Sequence, residues 1–238
     1  KMHKISIFFI LISLFGYSQR SSYSPYSYFG VGETNFSATV ENQMMGGNTA
    51  YYDSVHQNMN NAASMSKLKF VNYSIGVDLK NTSYLSESNN ESSTAAAINY
   101  ISVAIPTKVL SFSFGIKPKT SVGYLLENDD KTQTIAELNR FTGSGGISNA
   151  FVSIGFELFK NWGIGVSSAY AFGNLNHYHT KILENIELYT RVSSESSVSG
   201  LDYNFSTVYQ KTFNNKTTLY TSIVYQPEAN YKSKNNQS

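Results

Sequence analysis

Few side chains in this 238-residue chain have the types and spacing that catalysis or metal binding needs. His177 and His179 in NHYH lie two apart and share one face of any extended segment. Two ligands do not make a structural zinc site, which almost always has four, so the pair reads as surface metal binding or as a solvated external loop. Beyond residue 18 the one other histidine is His56, and no histidine falls on a clearly patterned strand. A serine–histidine hydrolase of barrel type therefore lacks its base, and no Gly-x-Ser-x-Gly elbow or phosphate loop occurs. Without cysteine there is neither a disulfide framework nor a thiolate metal ligand. The sequence reads as that of a non-enzyme with no cofactor and no metal. The charged and amide groups that remain are Asn72, Asp78, Lys117, Glu157, Asp202 and Asn204. Each takes a position of a patterned strand opposite the apolar residues, where it would orient a polar headgroup or simply solvate a water-filled interior.

Those positions are set by strands. In ISNAFVSIGFELFKNWGIGVSSAYAFGNL, residues Ala150, Val152, Ile154, Phe156 and Leu158 alternate with Ser153, Gly155 and Glu157. After the link KN, Trp162, Ile164, Val166, Tyr170 and Phe172 alternate with Gly163, Gly165, Ser167, Ala169 and Gly173. Period two over this length predicts strands, because successive side chains point to opposite faces. FVNYSIGVDL, AAAINYISVAI and VLSFSFGIKPKTSVGY read the same way, as does the run from Gly200 to Gln210. TTLYTSIVYQ makes a seventh strand whose facing the pattern leaves open. The links alternate long and short, as in an outer-membrane barrel with short periplasmic turns and longer external loops. Pro118 interrupts IKPKTS and cannot donate a ladder hydrogen bond, so it marks a bulge, an edge, a local opening or the point where the strand leaves the membrane.

Composition agrees with a barrel in lipid. Charged residues make up 14% of the chain and aromatics another 14%, against roughly 25% charged in a soluble domain. The mean hydropathy of -0.27 is too polar for a bundle of membrane helices. It suits a barrel whose lipid and lumen faces cancel. A net charge of +2 gives no reason to expect a nucleic-acid partner. A soluble sandwich would bury the same apolar faces between two sheets.

Residues 2–18, with basic His3 and Lys4, an apolar run from Ile5 to Phe15 and small residues after it, form a secretory signal peptide with cleavage after Ser18. Residues 19–68 lack sustained alternation and read as a compact, partly irregular N-terminal segment, in which Gly46 and Gly47 serve a tight turn. Residues 69–238 carry the seven strands.

The order SPYSYFGVGE, MMGGNTA, NNAAS, IPTKVLSFSFGIKPKTSVGY and FTGSGGISNAFVSIGFELFKNWGIGVSSAYAFGN resembles Bacteroidetes members of the FadL-like outer-membrane transporter family. The resemblance implies a fourteen-stranded antiparallel transmembrane β-barrel plugged by an N-terminal hatch, in the outer membrane of a Gram-negative bacterium. It implies passive transport of hydrophobic small molecules similar to long-chain fatty acids. Residues 19–68 would be the hatch, the family's Asn-Pro-Ala motif would fall on Asn61, Ala62 and Ala63 with Ala in place of Pro, and Pro118 would be the lateral kink. Barrels of this kind also serve type IX secretion by accepting cargo proteins, and a general porin is a third reading. The expected partners are hydrophobic small molecules or lipid and the outer membrane, with oligomeric state open. Seven strands are half of fourteen, so the sequence reads as the N-terminal half of an incomplete barrel.

Overall fold

The structure, a computed structural model, describes residues 24–36, 38–85, 90–130, 137–183, 189–213 and 217–238. The segment read as a signal peptide, residues 2–18, lies outside them. Strand β1 (Glu33–Thr34) and helix α1 (Val40–Met44) belong to the N-terminal segment, together with 3-10 turns at Pro25–Tyr28 and Ala62–Lys67. Long strands follow: β2 (Asn72–Leu85), β3 (Asn90–Pro106), β4 (Leu110–Asp130), β5 (Glu137–Phe159), β6 (Trp162–Leu183) and β7 (Tyr189–Phe213). Two shorter ones, β8 (Thr217–Tyr225) and β9 (Tyr231–Gln237), complete the sequence of elements.

All pairings are antiparallel; β2-β3-β4-β5-β6-β7-β8 pair in sequence order, while β1 pairs with β4 and β9 with β7. The result is an all-β curled half-barrel. β8 pairs with Phe205–Phe213 of β7 and β9 with Ser194–Gly200 of the same edge. The two are one seventh strand broken at residues 226–230, where Pro227 removes a backbone donor. YKSKNNQS, which the alternation did not mark as strand, thus continues the sheet. Among the described residues no helix is long and apolar enough to cross a membrane.

The facing follows the alternation. Ile75, Phe114, Val152, Val166, Tyr203 and Ile223 all point to the exposed convex side. On the concave side are small buried clusters, one of them formed by Val122, Tyr124, Ile147, Ala171, Leu175 and Val198. The short β5–β6 link places Asn161 at a φ of 67°, a left-handed conformation that Asn tolerates better than most residues.

The long links differ from the expectation. Segments read as external loops, among them residues 176–197, are mostly strand: β6 runs on to Leu183 and β7 starts at Tyr189. His177 and His179 therefore lie in a paired strand, opposite Ser194 and Val192. Strands of 21–25 residues rise about 50–60 Å at a tilt typical of barrels, roughly twice an apolar band of about 25 Å. Above the band both faces are polar, so pairing continues where hydrophobic alternation stops.

Candidate functional site

The concave wall and the N-terminal segment make one site, because each is shaped for the other. The turn Asn61–Ala62–Ala63 sits on a floor of glycines. A β-carbon on Gly155 would lie 2.2 Å from the Ala62 carbonyl oxygen, and one on Gly165 would lie 2.3 Å from the Ala63 nitrogen. On Gly163 it would meet the Ser66 hydroxyl at 2.3 Å. The small face of β5 and β6, which reads in the sequence as a water-filled lumen, is here the seat of a backbone turn. Asn61 is fully buried. Its Oδ1 accepts from the Ala63 N–H at 3.1 Å and its Nδ2 donates to the Thr49 carbonyl at 2.7 Å. Ser206 Oγ on β7 accepts from the same Ala63 N–H at 2.9 Å, tying the turn to the wall.

Gly46 and Gly47 follow α1 at φ of 69° and 76°, and the Gly47 N–H returns to the Asn42 carbonyl at 2.8 Å. This left-handed exit closes the helix. Tyr52 is buried against Tyr220, ring centroids 5.5 Å apart. Burial, reinforced by the charges of Tyr220 and Glu157, pushes its phenol up to about 12. Asp53 and His56 pair at 2.6 Å. The hydrogen bond to Asp53 raises the His56 imidazole above its ordinary value. Burial pushes the Asp53 carboxyl up, but hydrogen bonds from the His56 backbone and ring and from the Val55 N–H hold it below its usual value.

A second group of residues lies on the wall beside the seat. Asp202 is buried and accepts from Lys119 Nζ at 2.7 Å, the Tyr231 hydroxyl at 2.6 Å and Asn149 Nδ2 at 3.2 Å. Lys119 also bonds the Tyr231 hydroxyl, and its charge lies 4.7 Å from that ring centroid. Lys117 donates to Asn60 Oδ1 at 3.0 Å, and Glu157 is paired with Lys67. Asn72 Nδ2 donates to the Val55 carbonyl at 2.9 Å. The structure thus brings Lys117, Glu157 and Asn72 onto the N-terminal segment and Asp202 onto β4 and β9. Asp78 stands apart on β2, opposite Ala97. Asn204 Oδ1 is buried without a hydrogen-bond partner. Lys119, Asn149 and Tyr231 did not stand out in the sequence. Lys119, next to Pro118 in KPKT, was the one signal available.

Pro118 lies at a break in the wall. The β4–β5 register shifts between Pro118 and Thr120, with Lys119 as the extra residue. The β3–β4 ladder stops just below it, running only from Ile101↔Ile116 to Pro106↔Ser111. Beyond that point β3 stays with β2 and β4 with β5. The edge of β4 so vacated is met by the N-terminal segment: Glu33 pairs with Ser121 and Thr34 with Thr120. The Asn35 N–H donates to the Lys119 carbonyl at 2.9 Å and the Ser24 N–H to the Gly123 carbonyl at 2.8 Å. The Gly123 N–H donates to Ser27 Oγ at 3.0 Å.

No curated protein and no solved structure matches this chain. One family model matches, described as BamG, over residues 2–238. That match overturns the resemblance to FadL-like transporters. It also overturns the functions and cargo drawn from that resemblance: passive transport of fatty acid-like molecules, a part in type IX secretion, a general porin, and hydrophobic small molecules or lipid as partners. The likeness rested on alternating strands and Gly/Ser faces, and a Gly/Ser face arises wherever a backbone turn is seated on a barrel wall. Matched over all but its first residue, the chain belongs to the BamG family.

Proposed function

We propose that this chain acts in outer-membrane protein assembly, as a membrane-embedded component of the Bam machinery in a Gram-negative bacterium. The family match over residues 2–238 carries the reading. The exposed apolar belt on the convex face of the sheet supports an outer-membrane location, since a belt of that kind faces lipid in a transmembrane barrel. Residues 24–36 and 38–71 act as a plug on the concave wall, held by the glycine floor, by Lys117 and Glu157, and by the Asn35 N–H on the Lys119 carbonyl. The role requires no catalytic step by this chain. Its partners are then proteins: the other components of the machinery and the outer-membrane polypeptides they handle.

Depletion of the protein in its native host tests the reading. Outer-membrane protein levels, measured by quantitative proteomics of purified envelopes, are expected to fall across unrelated barrels. Unchanged levels, with no co-purification of Bam components with the tagged full-length protein, would exclude it.

A further inference from the structure

Among the described residues, the seam between β3 and β4 is the one place where two neighbouring strands part while both continue. Above Ile101 and Ile116, β3 from Asn90 to Tyr100 pairs only with β2 among the described residues. β4 above Lys117 pairs with β5 on one side and, on the other, among the described residues, with just the two residues of β1. Buried backbone N–H and C=O groups need partners, so a parted seam calls for something that supplies them. The chain's own Ser24–Asn35 supplies a few. It does so as a strand, which shows that the edge accepts antiparallel pairing.

The latch it makes is slight. Two ladder residues are joined by the Glu33–Lys80 ion pair at 2.7 Å, which crosses the seam to β2, and by Asn35 Nδ2 donating to Ser121 Oγ at 2.6 Å. Two atoms in it, Glu33 Oε2 and Thr120 Oγ1, are buried with no hydrogen-bond partner. Two cavities lie along the same seam. One of about 650 Å³ is lined by Ala97, Ile98, Ile116 and Pro118. One of about 550 Å³ is lined by Ser92, Ser93, Leu125 and Leu126, with Ser24–Tyr26 at its border. On the outer side Ile98, Ile116 and Leu125 are exposed, while Tyr100, Val122 and Tyr124 are buried on the inner side. A strand laid in the seam would find apolar neighbours on both faces.

We propose that the β3–β4 seam is a strand-accepting site, where an extended segment of a polypeptide partner pairs with β4 between Lys119 and Gly123 in place of Ser24, Ser27 and residues 33–35. Main-chain bonds along the edge give the affinity, and side chains entering the two cavities give the preference. The partner's identity as an outer-membrane polypeptide supplying a β-strand rests on the assembly reading. The site itself rests on the geometry of the seam.

The absence of cysteine in the chain allows a reversible lock. Thr34 and Thr120 are direct register partners, so their α-carbons stand about 4.5–5.5 Å apart, within reach of a disulfide. The full-length Thr34→Cys/Thr120→Cys protein in detergent would be titrated with a fluorescein-labelled, lysine-flanked peptide of sequence AFVSIGFEL. Fluorescence anisotropy would be read before and after oxidation. Binding in the reduced form, lost at least tenfold on oxidation and regained with reductant, is the expected result. A Glu33→Ala/Asn35→Ala variant, with its latch weakened, should bind at least threefold more tightly than wild type. Equal binding by the locked and open forms overturns the proposal, as does no binding by either or equal binding of a peptide with proline at alternate positions. The assembly reading fails separately, on unchanged outer-membrane protein levels after depletion, and that result would leave a positive peptide titration standing.

Discussion

The wall formed by β5, β6 and β7 and the seam between β3 and β4 meet the same N-terminal segment in different ways. β5 and β6 are paired from Glu137↔Leu183 down to Phe159↔Trp162, whereas β3 and β4 share six residue pairs. On the wall β5 and β6 are paired on both sides, β5 with β4 and β6 and β6 with β5 and β7, so the segment is seated there rather than added as a strand. Fit depends on volume: glycines let the Ala62–Ala63 backbone come within contact distance of the sheet. At the seam the ladder is missing, and the segment is held instead by donors and acceptors on the β4 edge. A side-chain methyl should therefore damage the first contact and a lost hydrogen bond or charge the second.

The largest effect is expected where the two regions join. Lys119 is the extra residue of the β4 bulge, its carbonyl takes the Asn35 N–H, and its ammonium reaches Asp202 on the wall. Asp202→Ala strands that cation and the Tyr231 hydroxyl together, at a cost of about 3 kcal/mol in guanidinium unfolding of the detergent-solubilised protein. Asp202→Asn keeps an acceptor and should cost about 1 kcal/mol. Equal midpoints for Asp202→Ala and wild type would show that the cluster does not brace the bulge.

Next comes Gly165→Val. Its side chain must enter the space of the Ala62 and Ala63 backbone, which costs about 1–3 kcal/mol and should release residues 58–68 to protease. Val166→Ala, on the outward face of the same strand, is the matched control and should leave them protected. Identical digestion of both would mean the glycine floor is not a seat. Smaller again is Lys80→Met, which removes the ion pair across the seam. Lys80 is exposed and Glu33 half-buried, so about 0.5 kcal/mol is at stake. The readout is selective: cleavage near residues 30–36 should rise while residues 58–68 stay protected.

What the sequence displays of all this is the part that burial writes into it. Val152, Ile154 and Phe156 alternate against Ser153 and Gly155 because one face is apolar and the other is not, and the outward set follows that alternation. Strand length is different. From Asn176 to Lys181 β6 is polar on both faces yet fully paired with β7, and backbone pairing alone leaves no period in the side chains. The glycine faces were ambiguous for another reason, since a small residue looks the same whether water or a backbone turn lies over it. The seam is written only in IKPKTS. Its other determinant, the arrival of Glu33 and Thr34 at Ser121 and Thr120, joins positions far apart in the chain that no local pattern connects.

The smallest effect concerns the Asp53–His56 turn, which joins the N-terminal segment to the start of β2: the Lys69 N–H donates to the Ser54 carbonyl at 2.9 Å. The hydrogen bond to Asp53 raises the His56 imidazole, so its contribution is complete below the ordinary histidine value and is lost as pH rises through the raised one. The Asp53 carboxyl is held low against burial by hydrogen bonds from His56 and Val55. Its contribution is complete above the ordinary aspartate value and is lost as pH falls through the lowered one. The two overlap between the ordinary values of the pair, so the ion pair counts most in mildly acidic solution. With His56 about half exposed, the gain is about 0.5 kcal/mol. The unfolding midpoints of wild type and His56→Gln should differ most near about pH 5.5 and converge toward about pH 9. A constant difference across that range would mean that His56 acts through packing, and that the join between the N-terminal segment and the sheet is governed by volume, as the wall is, rather than by charge, as the seam is.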